Sequence, residues 1–116
     1  MLTKASDVNT LDAILKAMYE VISGPAGVAR DWERFRNLYA PGARLMPVVA
    51  GPPARARVLS PEDYIRRVEP IFAQEDFWER ETGRETETFG RVAHVLSHYE
   101  SLRSPSGEPF ERGTNS

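Results

Sequence analysis

Cysteine is absent from the 116 residues, so neither a disulfide nor a thiolate metal site can form, and two histidines are too few for a histidine-rich cage. The fold must stand on packing, with no metal and no other cofactor expected. Lysine is nearly missing as well: of 15 basic residues only Lys4 and Lys16 are lysine, a usage that points to a GC-rich bacterial coding sequence. An excess of either charge is lacking too. The formal charge of -2 offers no global basic surface, so no nucleic-acid partner is expected. No stretch approaches the roughly 18 apolar residues that span a bilayer, and the first residues carry charges where a signal peptide would be apolar. A soluble, cytoplasmic protein is the expectation. With 41% hydrophobic residues, the chain suits a single domain over residues 1–116 with a modest core.

What is present is a change of period along the chain. Val8, Leu11, Leu15, Met18 and Ile22 recur at spacings of three and four, which predicts a first helix ended by Ser23-Gly24-Pro25. Asp31 is placed to cap a short second helix that turns Trp32, Phe35, Leu38 and Tyr39 inward. Arg44 to Val49 reads as a short strand disturbed by Pro47, and residues 51–57 as a loop. Ser60-Pro61-Glu62-Asp63 then combines a hydroxyl cap, proline at the first helical position and an acid three after the cap. The helix it starts buries Ile65, Val68 and Phe72, and Pro70 is expected to limit its growth. From Phe77 the pattern alternates, giving strands over Phe77–Thr88, Val92–Leu102 and Phe110–Ser116, the last two joined by the turn Ser104-Pro105-Ser106-Gly107. Helices followed by a run of antiparallel strands imply an α+β domain with three N-terminal helices packed on one face of the sheet.

That order of elements resembles the nuclear transport factor 2-like superfamily, the cone-shaped fold with a curved antiparallel sheet shared by ketosteroid isomerases and polyketide cyclases. The resemblance covers residues 8–116. It rests on Trp32-Glu33-Arg34-Phe35, the run Leu38-Tyr39-Ala40-Pro41-Gly42-Ala43-Arg44-Leu45, the cap Ser60 to Tyr64, and Ala93-His94-Val95-Leu96-Ser97-His98-Tyr99-Glu100-Ser101. Family members usually complete the strand begun at Phe110 and add another, so a sheet finishing at Asn115-Ser116 implies an exposed edge and an opened cone. The superfamily hosts enzymes and noncatalytic binders alike, which leaves function to the site.

The resemblance to ketosteroid isomerases implies a carboxylate base at the end of the strand after the second helix, where this chain has Met46-Pro47. No catalytic residue is therefore assigned. It also implies an oxyanion hole made by a first-helix tyrosine and a protonated aspartic acid on a late strand; Tyr19 or Met18 falls near the first position and Asn115 at the second. Asparagine donates a hydrogen bond without any pKa shift, so a polar anchor remains where proton abstraction does not.

His94 and His98 would share a face on a helix, but on a strand they stand about 13 Å apart, which removes a zinc reading. Period-two parity puts Ala93, Val95, Ser97 and Tyr99 on one face, and Val92, His94, Leu96, His98 and Glu100 on the other. By the resemblance, the first set lines the pocket and the second faces outward, where a homodimer would form. Glu79, Glu81, Glu85 and Glu87 share one parity and Arg80 and Arg84 the other, as expected of a solvated strand with cross-strand ion pairs. A glycosidase-like carboxylate pair would need a raised pKa on one member and a concave site, neither of which the sequence supplies.

The resulting expectation is a polyketide-cyclase-like (SnoaL-like) binding domain for a small apolar molecule with one hydrogen-bonding group. Met18, Tyr19, Val68, Phe72, Val95, Ser97, Tyr99 and Asn115 are the expected lining. A cofactor-free isomerase, cyclase or dehydratase using a histidine or Tyr99 as acid/base is the enzymatic alternative. A homodimeric interaction module is the third.

Overall fold

The computed structural model describes residues 5–116, in which three α-helices precede a three-stranded antiparallel sheet. The chain is therefore α+β. Helix α1 (Leu11–Glu20) begins where the Thr10 hydroxyl accepts from the Ala13 amide at 3.0 Å, a cap worth about 1 kcal/mol. Val8, expected on this helix, instead closes a 3-10 turn over Ala5–Val8 and is exposed, because the extended backbone at Thr10 separates the two. Leu15, Ala17 and Tyr19 form the buried side of α1.

The loop after α1 is fastened from within by Arg30, whose guanidinium is buried without a carboxylate. It donates to the carbonyls of Ile22, Gly24, Pro25 and Val28 at 2.7–3.2 Å and sits 4.6 Å from the centre of the Phe72 ring. Burial lowers its pKa from the usual 12.5. Four charge-assisted bonds to backbone oxygens compensate much of that desolvation and fix the turn.

Helix α2 (Trp32–Arg36) is capped by Asp31, as its sequence implies. Helix α3 (Pro61–Gln74) starts with a reciprocal box, Ser60 Oγ accepting from the Asp63 amide and Asp63 accepting from the Ser60 amide, both at 3.0 Å. Pro70 does not stop α3, which continues to Gln74. One missing N–H costs less than losing Phe72 from the core. Val21, Ile22, Phe35, Ile65, Val68 and Phe72 make that core, with Phe35 stacked on Tyr64 at 5.3 Å and Phe72 on Phe77 at 5.1 Å.

Between α2 and α3, the strand expected over Arg44–Val49 contracts to β1 (Val48–Val49) and an isolated bridge from Leu45 to Leu59. Pro47 can accept from the Arg57 amide but donates nothing, so the ladder is interrupted there. The segment expected to be loop supplies the partner strand β2 (Arg55–Ala56).

The main sheet has the order β3-β4-β5 and is open at both edges, from β3 (Trp78–Phe89), β4 (Val92–Leu102) and β5 (Pro109–Asn115). Tight pairing of β3 with β4 breaks register between Glu81 and Gly83, leaving Thr82 as an extra residue. This bulge overturns the uniform parity expected for β3. Glu79 and Glu81 pair with Ser101 and Tyr99, whereas beyond the bulge it is Arg84 that pairs with Ser97, and Glu85 and Glu87 pair with Leu96 and His94. Helix α1 lies against β3, and its exit is tied to that strand by two hydrogen bonds between Gly24 and Phe77, at 2.7 and 3.1 Å.

Candidate functional site

The polar side chains of β3, β4 and β5 on the face toward α1 converge on Tyr19. Its hydroxyl lies 2.7 Å from Ser97 Oγ and receives a hydrogen bond from Asn115 Nδ2 at 3.1 Å. Ser97 in turn donates to Glu81 at 2.5 Å. Glu81 is anchored by Arg84, at 2.6–3.1 Å, and Arg84 reaches on to Asp12 of α1 at 2.5 Å. The bulge at Thr82 makes this possible, because it brings Arg84 to the same face as Glu81.

Glu79 stands two residues before Glu81 on that face. Ser23 holds it in place, donating from Oγ to the Tyr19 carbonyl at 2.8 Å and accepting from the Glu79 amide at 3.1 Å. Thus the end of α1 and the start of β3 share one hydroxyl. A cavity of about 390 Å³ opens beside these groups, lined by Leu15, Tyr19, Ser23, Trp78, Glu79 and Glu81 together with the flexible side chains at its rim.

The two carboxyls are driven in opposite directions. Burial pushes Glu79 up to about 7, reinforced by the charge of Glu111, while hydrogen bonds from Ser101 and Asn115 only partly oppose it. Burial acts the same way on Glu81, but hydrogen bonds from Arg84 and Ser97 and the charge of Arg84 together outweigh it and hold that carboxyl below its ordinary 4.5. Separated pKa values on neighbouring acids are the mark of divided acid and base roles. Burial also raises Tyr19 above 10.0, so its phenol is neutral. The condition that the sequence does not supply for a working carboxylate pair, one raised member on a recessed face, is met at Glu79.

Of the eight expected lining residues, Tyr19, Ser97 and Asn115 come together in one hydrogen-bonded chain. Tyr99 lies next to them, its ring 6.5 Å from that of Tyr19 and packed where Gly113 leaves room. Val95 is half-buried on the same strand face and Met18 on α1, and of the eight expected residues Tyr19 is the one that lines the cavity. Val68 and Phe72 belong instead to the apolar core, since the stripe of α3 turns toward α2 and the Arg30 loop. Sequence reasoning reads Glu79 and Glu81 as part of a solvated strand and does not assign Ser23 or Trp78 to the site. Gly83 inside a strand was the available signal for the bulge; nothing local marks Glu79.

His94 and His98 lie on the opposite face, as strand parity implies. His98 bonds to Thr114 at 2.8 Å and Glu85 at 3.1 Å, and His94 to Ser116 at 3.0 Å. Among the described residues no cluster of three or more His, Cys, Asp or Glu could hold a metal, and no helix is long and apolar enough to cross a membrane. Comparison with family models, curated proteins and solved structures found no match.

Proposed function

We propose that the chain is a small-molecule-binding domain of the nuclear transport factor 2-like type, taking a largely apolar ligand with one hydrogen-bonding group into the cavity between α1 and β3. The observation that carries this reading is a cavity walled by Tyr19, Glu79, Glu81, Leu15 and Trp78, with Ser97 and Asn115 hydrogen-bonded to the Tyr19 hydroxyl. A few directed polar groups in a partly apolar recess of about 390 Å³ suit a small organic ligand. A thermal-shift screen of polyketides, steroids and aromatic ketones tests it. A ligand should raise the melting temperature by mass action and lose that effect in Leu15→Trp, which fills the recess. Ligands that stabilise the Leu15→Trp variant equally well would refute the assignment.

Turnover is the second reading, favoured by Glu79 rather than by the histidines, because burial pushes Glu79 up to about 7 beside the cavity while both imidazoles face away from it. The protein is further proposed to act in the cytoplasm as a homodimer joined across the face of Leu96 and His98. Exposed Phe89 and Val92 extend that face and support the proposal. Sedimentation of wild type against Leu96→Asp decides it: a dimer abolished by the substitution supports the interface, and a monomer at high concentration refutes it.

A further inference from the structure

The hydrogen bonds of the site run in one direction. Glu81, held ionised by Arg84, can only accept, so the single hydroxyl proton of Ser97 goes to it. Ser97 Oγ is then the acceptor for Tyr19, whose own proton is spent, and the Asn115 amide donates to the Tyr19 oxygen. No hydroxyl in this chain keeps a proton for a ligand. At the rim Arg84 pairs with Glu81 and Asp12 and Arg80 with Glu100 at 2.7 Å, while the exposed Lys16 ammonium lies 3.8 Å from Glu20.

Glu79 differs from all of these. It lines the cavity, and its hydrogen-bond partners, Ser101 and Asn115, both donate to it. The titratable groups facing it are Tyr19 from α1, Tyr64 from α3, Tyr99 from β4 and Glu111 from β5, with Glu81 beside it on β3. None is a cation. Among the described residues no Arg, Lys or His pairs with Glu79, so a buried carboxyl surrounded by phenols and other acids is stabilised by keeping its proton.

We infer that Glu79 is a hydrogen-bond donor to ligands in the cavity, and that the site therefore selects neutral ligands with a carbonyl or similar acceptor over carboxylate anions. This rests on the cavity being a binding site. A carboxylate ligand would meet the anionic Glu81 with every nearby guanidinium already engaged, whereas a ketone oxygen can accept the Glu79 proton without any new charge being buried.

Two measurements on the full chain test the inference. The first follows the side-chain carboxyl of Glu79 by carbon NMR against pH, assigned by its loss in Glu79→Gln. The second measures affinity for 6-propionyl-2-dimethylaminonaphthalene, a neutral fluorescent ketone, and for 2-naphthoate. Glu79 should titrate near 7. Ketone affinity should fall about thirtyfold from roughly pH 5.5 to 8.5 as the donor form is depleted. Glu79→Gln should bind the ketone without pH dependence, since an amide still donates, and naphthoate should bind wild type at least about tenfold more weakly than the ketone at pH 5.5. Titration of Glu79 below about pH 5 would overturn the inference whether or not a probe binds. So would a flat ketone profile in wild type, an unchanged profile in Glu79→Gln, or naphthoate binding as tightly as ketone. Titration near 7 with neither probe bound at any pH is a different result: it refutes the cavity as a binding site, and the selectivity falls with it.

Discussion

The Asn115 amide donates to the Tyr19 hydroxyl across 96 residues of sequence, joining the last residue of β5 to the next-to-last of α1. Asn115 also donates to Glu79, so one uncharged side chain serves a phenol and a carboxyl together. Glu79 lies two strands away on the same sheet.

Asn115→Asp should therefore be unfavourable in a pH-dependent way. The new carboxylate replaces a donor by an acceptor, leaves the Tyr19 oxygen without its N–H partner, and places a second negative charge beside Glu79. At about pH 8 the cost should be roughly 2–4 kcal/mol, shrinking below about pH 5 as the introduced acid is protonated and can donate. Urea unfolding at the two pH values measures the difference. A cost independent of pH would show that the two side chains do not interact.

Glu79→Gln should reshape the stability profile. Folding raises Glu79 from its ordinary 4.5 to about 7, so the native state holds the proton more firmly than the unfolded chain does. The stabilising contribution is full below about pH 4.5 and is lost as pH rises through about 7, amounting to roughly 2–4 kcal/mol over the window. Glutamine is neutral throughout. The variant should thus match wild type near pH 4.5 and exceed it at pH 8, with a difference curve that is flat above about pH 8. Other carboxyls, Glu81 and Asp63 among them, are shifted downward and drive the opposite trend, which is why the difference between the two proteins is the quantity to follow.

What the sequence reveals here follows the range of the interaction involved. The Ser60–Asp63 box and the Asp31 cap are legible because both partners lie within one turn. The face of Ser97 and Tyr99 on β4 is legible because alternation persists along an unbroken strand. On β3 the same alternation misleads: Thr82 adds one residue and reverses every side chain after it, so Arg84 joins Glu81 and Ser97 instead of opposing them. The raised pKa of Glu79 is further from reach, since it comes from burial within the folded chain and from the charge of Glu111, which is far from it in the sequence. Val68 and Phe72 show the intermediate case. Their periodicity identifies a buried helix face but not whether that face meets a cavity or another helix.

Gly113 should tolerate no side chain while Tyr99 is present. A Cβ there would overlap the Tyr99 hydroxyl and ring carbons, two of them at 2.6 and 2.9 Å, although the Gly113 backbone itself needs no positive φ. Gly113→Ala should cost about 1–3 kcal/mol through overpacking. In a Tyr99→Ala background the added methyl meets open space, and the same substitution should be neutral or mildly stabilising. Thermal unfolding of the four proteins gives the coupling directly, and additive effects would mean that Tyr99 moves aside freely.

Removing Ser97 and Tyr19 from the hydrogen-bonded chain together should cost less than the sum of removing each alone. Ser97→Ala leaves the buried Tyr19 proton without its acceptor and deprives Glu81 of a donor. Tyr19→Phe leaves Asn115 without its acceptor and Ser97 without the donor that occupied its lone pair. Each single change should cost roughly 1–3 kcal/mol, because an orphaned buried group loses its bond to water as well as its bond to protein. In the double variant the Tyr19–Ser97 bond is lost only once, so the total should fall short of the sum by about 0.5–2 kcal/mol. Glu81 offers an independent reading of the same chain. Losing the Ser97 hydroxyl should move its carboxyl upward, since a hydrogen bond that lowers it has gone while its partial burial remains. Additive stabilities together with an unmoved Glu81 titration would show that these three groups are neighbours without being coupled.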